Sequence, residues 1–168
     1  LCLLLIVSWA SVAQAKLNIV ATTADLGSLA SEIEKDKVEV TNIAKPTEDP
    51  HFVDAKPSFI VKLNKADILI EGGLQLEMGW LPPLVLSARN QKILPGNPGY
   101  IVASQGINVV EVPAEPTRAM GDIHPYGNPH YMLDPLNGEI FATHLCEQLC
   151  QIDKANYDYY KENLNNFT

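Results

Sequence analysis

Asp67-Ile68-Leu69-Ile70-Glu71 runs into Gly72-Gly73, and this stretch decides the fold. Three consecutive branched apolar residues leave no polar face, as in a parallel strand buried on both sides, and the two glycines end it. A strand covered on both faces needs helices above and below, so the flanking sequence must supply them. Upstream, Pro57 opens a helix whose apolar face is Ile60, Val61 and Leu63, since proline is tolerated in a first helical turn. Before that helix, Val38 to Ala44 reads as a strand. Ala24 to Asp36 reads as a helix, with Leu26, Leu29, Ala30 and Ile33 on one face. Leu17 to Thr22 is a further strand, rich in β-branched residues.

Downstream, Leu76 to Arg89 reads as a helix with Pro82 and Pro83 marking its start or a kink, and with Trp80 and Leu84 packing it to the sheet. Lys92 to Ser104 is turn-rich. Ile107 to Val112 reads as the last strand. Asp134-Pro135 predicts an N-cap followed by proline at the first helical position of a helix reaching about Ile152. Asp153 to Phe167 begins another helix, with Tyr157, Tyr160 and Leu164 at helical spacing. Alternating strands and helices predict an α/β fold: a parallel sheet of about four strands with helices on both faces. In such sheets ligands bind outside the carboxyl ends of the strands.

That rule gives meaning to two proline-stiffened loops. Lys45 to Ala55 follows the second strand and carries Asp49-Pro50-His51. Gly121 to Pro135 follows the last strand and carries His124-Pro125 and Asn128-Pro129-His130. Proline fixes its own φ and restricts the residue before it, so these loops hold imidazoles in set directions. Neutral imidazole is the commonest metal ligand, and pre-ordered ligands lose less entropy on binding. His51 and His130 are therefore the candidate metal ligands, expected to approach at one edge of the sheet. His124 has two readings: an accessory ligand, or a loop residue hydrogen-bonding backbone, of which the second is preferred. Asp122 is the other candidate in that loop. Asp49 is expected to orient the His51 loop through an Asx-turn. Asp134 and Glu77 are read as helix caps, and His144, in mid-helix, as a packed or half-exposed side chain. Cys146 and Cys150, four apart on an apolar stripe, read as core residues rather than a disulfide or soft-metal pair.

The ends and the charge set further bounds. Residues 1–15 combine an apolar run, Leu1 to Val7, with Ala13-Gln14-Ala15, the h-region and cleavage pattern of a secretory signal peptide without its basic n-region. The mature chain is expected to begin near Lys16 and to be exported. Cys2 lies within the apolar run, so a lipid-anchored cysteine is not indicated. The formal net charge of −8 falls entirely after residue 15 and forms no basic patch, which argues against nucleic-acid binding. There is no H-E-x-x-H and no G-x-S-x-G, so a secreted hydrolase lacks its usual motifs. An adhesion module with a structural metal has no motif to look for and stays open.

Asp49-Pro50-His51 with Lys56-Pro57-Ser58, and Asn128-Pro129-His130 with Leu133-Asp134-Pro135, resemble the solute-binding proteins of zinc and manganese ABC transporters. Gly73-Leu74-Gln75-Leu76-Glu77 with Trp80 is similar to that family's turn after its third strand. The resemblance implies two α/β lobes joined by a long helix, with metal held between them. Residues 16–152 would be the first lobe, 153–168 the start of the connecting helix, and the second lobe would be absent. It also implies that His51 and His130 supply half of the ligands, and that apolar surface around Tyr157, Tyr160 and Leu164 is exposed. The expected function is periplasmic, non-enzymatic capture of zinc, with manganese as the alternative, and delivery to a membrane permease. The complete protein is expected to be a monomer.

Overall fold

A computed structural model describes residues 16–114 and 124–168. The signal-peptide reading of residues 1–15 and the role of Asp122 lie outside these residues. Four parallel strands form one sheet: β1 (Leu17–Ala21), β2 (Val38–Asn42), β3 (Ile68–Glu71) and β4 (Tyr100–Val102), in the order β2-β1-β3-β4. The helices are α1 (Ala24–Glu34), α2 (Pro57–Lys65), α3 (Leu81–Ala88), α4 (Pro135–Ile152) and α5 (Tyr157–Phe167).

The period-2 alternation of strand side chains sorts the core into two layers. Ile19, Ala21, Ile68, Ile70 and Ile101 face one side and meet α1, α4 and α5 through Leu26, Ile33, Phe141, Leu145 and Tyr160. Val20 and Leu69 face the other and meet α2 and α3 through Phe59, Leu63, Leu81 and Leu84. Ile68, Leu69 and Ile70 are fully buried, as the continuous apolar run requires. Cys146 and Cys150 are free thiols inside the first layer. Burial pushes the Cys146 thiol up to about 11, so it stays protonated and behaves as a small apolar side chain.

Three readings of the sequence need correction. The last strand is Tyr100–Val102, within the segment read as turn-rich, and not Ile107–Val112. Leu69 donates its N–H to Gly99 O at 2.8 Å and Ala103 donates to Glu71 O at 2.8 Å, which fixes the register. The approach requires Gly99, because a Cβ there would lie 2.5 Å from Asp67 O and 2.6 Å from Lys92 O. The 107–112 segment is instead irregular, with Val110 and Val112 exposed, and braces the next loop. Residues 74–80 are turns, so α3 starts at Leu81 with both prolines in its first turn. Finally, α5 is not an exposed apolar stub. Tyr160 is fully buried and Leu164 nearly so, leaving only Tyr157 of that trio half-exposed. The α5 helix packs on α1 and α4, with Asn163 Nδ2 donating to Ile33 O at 2.9 Å and Tyr160 Oη to Asp153 at 2.8 Å.

Candidate metal centre

The two histidine loops are built alike. Asp49 Oδ1 accepts the His51 backbone N–H at 3.0 Å, and Asn128 Oδ1 accepts the His130 backbone N–H at 2.9 Å. Each Asx-Pro-His triplet is thus an Asx-turn: the Asx side chain takes the N–H two residues on, and the proline between them holds φ. Asp49 goes further, with Oδ1 2.7 Å from His51 Nδ1. A carboxylate only accepts, so Nδ1 carries the proton and Nε2 presents its lone pair outward. These contacts with the His51 backbone and ring hold the Asp49 carboxyl below the usual carboxylate range.

Further bonds fasten each loop to its surroundings. Trp80 Nε1 donates to Pro50 O at 2.8 Å, behind His51. Tyr131 Oη donates to Gly72 O at 2.5 Å, next to His130. Val110 O accepts the Asn128 N–H at 2.9 Å, and Glu111 takes the Asn128 amide at 2.7 Å. Gly127 turns at φ 101°, and a Cβ there would lie 2.3 Å from Val109. The 107–112 segment therefore serves as a backing for the His130 loop.

The loops converge. Ring centroids of His51 and His130 are 5.2 Å apart, those of His51 and His124 5.0 Å, and those of His124 and His130 6.4 Å. Nε2 of His51 faces Nε2 of His124 at 3.1 Å. His124 is bonded within its own loop, its carbonyl accepting the Gly127 N–H at 2.9 Å, and its ring stands beside the other two. The three rings stand on a cleft of about 760 Å³ that also reaches Asp49, Asn128 and Glu111. Two nitrogens sharing zinc, at Zn–N of about 2.0–2.1 Å, lie roughly 3–4 Å apart, which the His51–His124 pair matches. Among the described residues no three His, Cys, Asp or Glu side chains are grouped closely enough to hold an ion as they stand; the three rings meet at the edge of an open cleft. His144 is elsewhere, half-buried in α4, and desolvation lowers its pKa. Asp134 caps α4, accepting from Leu136 N at 3.0 Å.

Glu77 is the residue whose part sequence reasoning missed. It caps no helix. Its carboxyl is buried and accepts from Thr22 Oγ1 at 2.5 Å, Gly72 N at 2.7 Å and Gly73 N at 3.3 Å. It thereby ties the end of β1 to the end of β3, at the point where the connections diverge to opposite sides of the sheet. Burial raises its pKa against the lowering effect of these donors. The turn it anchors has three successive left-handed residues, Gly73, Leu74 and Gln75 at φ 81°, 54° and 68°. Such conformations cost on the order of 1–3 kcal/mol each for non-glycine residues and persist only where surrounding contacts enforce them. The available signal was a lone acid in an apolar stretch just after a double glycine.

The family described as "ZnuA: Zinc-uptake complex component A periplasmic" matches residues 19–168. A curated metal ABC transporter substrate-binding lipoprotein of Lactococcus lactis subsp. lactis is 32% identical over 155 residues, covering 90% of this chain and 46% of that protein. The manganese ABC transporter substrate-binding lipoprotein PsaA of Streptococcus anginosus is 29% identical over 156 residues, covering 91% and 47%. A crystal structure of ZnuA is similar at a TM-score of 0.71 and 25% identity, over 90% of this chain and 53% of that one. A Mn-bound periplasmic metal binding protein from candidatus liberibacter asiaticus shares the fold at a TM-score of 0.73 and 23% identity, over 90% and 52%. The chain spans about half the length of the curated relatives it matches.

Proposed function

The chain belongs to the periplasmic zinc-uptake component A family, and we propose that it captures a divalent transition metal outside the cytoplasm for delivery to an ABC transporter permease. The carrying observation is the meeting of His51, His124 and His130, from separate stretches of chain, at one cleft. His51 and His130 are the proposed principal ligands and His124 an additional one. Zinc is the favoured cargo, since three imidazoles suit it better than manganese, which prefers carboxylate and water. Residues 16–152 act as the first metal-binding lobe, and the segment from 153 leads toward the second.

The chemistry is reversible ligation. Asp49 keeps the His51 proton on Nδ1 and leaves Nε2 to bind. The ligating rings must be neutral, so capture releases any protons they carry. The family favours transport over the hydrolase and adhesion alternatives, and its members are substrate-binding components rather than catalysts. Zinc titration by calorimetry of this chain and its His130→Ala variant tests the reading. Binding should be present in the first and weakened by orders of magnitude in the second. Equal binding in both would refute it.

A further inference from the structure

Both histidine loops hang from one short turn, 72–80. Its first residue, Gly72, offers the carbonyl that receives Tyr131 Oη at 2.5 Å, adjacent to His130. Its last residue, Trp80, supplies the indole N–H that Pro50 O receives at 2.8 Å, adjacent to His51. The turn between them is left-handed at Gly73, Leu74 and Gln75, a shape that Leu74 and Gln75 do not hold unaided. Glu77 holds it, by taking Gly72 N and Gly73 N from inside the turn and Thr22 Oγ1 from the end of β1. Trp80 N in turn donates to Glu77 O at 3.1 Å. Displacing the Glu77 carboxyl would thus release both anchors together. The carboxyl touches neither histidine loop; it acts on them through the two ends of the turn, Gly72 and Trp80.

We propose that Glu77 is a positioning residue of the metal centre: through the 72–80 turn it sets the separation and aim of His51 and His130 without touching the metal. The inference rests on the proposed metal-binding function and deepens it. The Gly72 carbonyl and the Trp80 indole are the two arms, and the carboxyl is their common support. Oε1 takes both short bonds, from Thr22 and Gly72, while Oε2 takes only the longer one from Gly73. An amide at this position therefore keeps the two contacts that matter most.

Zinc affinity and the visible spectrum of bound cobalt, used as a probe of ligand geometry, test this in the whole 168-residue chain. Glu77→Ala should weaken zinc binding at least tenfold and shift the cobalt bands, while Glu77→Gln should restore most of both. Tyr131→Phe and Trp80→Phe each remove one arm, and each should shift the cobalt bands with circular dichroism unchanged. These two variants decide the matter if Glu77→Ala does not fold. Unaltered cobalt bands and affinity in both arm variants would overturn the inference, as would an alanine variant that loses only thermal stability. If the unmodified chain binds no zinc, the proposed function falls with it. If it binds zinc through His51 but is indifferent to Glu77 and both arms, only this inference falls.

Discussion

Oδ1 of Asp49 lies 2.7 Å from Nδ1 of His51 and 3.0 Å from its backbone N–H, so one carboxylate oxygen sets both the backbone turn and the tautomer of the ring. Outer partners of this kind raise ligand basicity, and their loss typically costs about 10–100-fold in metal affinity. Asp49→Ala should therefore weaken zinc binding by about that factor with the fold intact. Asp49→Asn should do less, since its amide oxygen still accepts. Chelator competition at neutral pH measures both.

His51 and His130 lie on loops outside the core, so replacing either with Ala should leave circular dichroism nearly unchanged and weaken zinc binding by orders of magnitude. His144→Ala should change zinc binding little, because its side chain is packed in α4 and apart from the cleft. Affinity should also fall as pH drops, because ligating imidazoles must lose their protons. Titration calorimetry in two buffers of different ionisation enthalpy reads the proton release directly.

His124, whose Nε2 faces that of His51 at 3.1 Å, bears on the choice of metal. An additional imidazole favours zinc over manganese. His124→Ala should lower zinc affinity and leave manganese affinity much less affected, narrowing the ratio between them. Parallel titrations with the two metals check this, and an unchanged ratio would remove His124 from the ligand set.

Glu34 is fully buried on the α1 face that meets α5, and neither carboxyl oxygen has a hydrogen-bond partner among the described residues. Desolvation raises its pKa well above the ordinary 4.5. The folded state thus holds this proton more tightly than the unfolded state does. Glu34's contribution favours folding most below about pH 4.5 and weakens as pH rises from there toward the raised value. Glu34→Gln should remove that part of the pH dependence. Glu34→Leu should stabilise the chain at neutral pH by about 1–3 kcal/mol, the cost of an unsatisfied buried polar group. Urea unfolding at pH 4.5 and 7.5 gives the comparison.

Tyr160 is fully buried between α5 and the rest of the first core layer, with its hydroxyl on Asp153 at 2.8 Å. Tyr160→Ala should cost about 3–5 kcal/mol, the range for large aromatic truncations in a core. Thermal unfolding measures it. A loss under 1 kcal/mol would mean that α5 is only loosely seated.

Local composition carried the architecture. The apolar run at Ile68–Ile70, the prolines opening α2 and α4 and the 3.6-residue stripes of α1 and α4 each specify their element through contacts only a few residues away. A sheet covered on both faces follows from them. The same holds for the Asx-Pro-His triplets, whose side-chain-to-backbone bonds span two residues and are written in the order of the chain. Other features depend on which distant groups meet. Tyr100–Val102 is a strand because β3 offers an open edge and Gly99 lets the chains approach, whereas Ile107–Val112 has more β-branched residues but lies against the His130 loop. Tyr160 is buried because α5 folds back on α1 and α4. His124 meets His51 across 73 residues of sequence, and Glu77 bonds Thr22 across 55. Local pattern thus specified β1 to β3, four of the helices in outline and the two proline-stiffened histidine loops, but not β4 or the start of α3. The convergence of three rings and the support that a buried carboxyl gives the turn at Gly72–Trp80 came instead from folding distant stretches together, across 73 residues for His51 and His124 and 55 for Thr22 and Glu77, which no local pattern records.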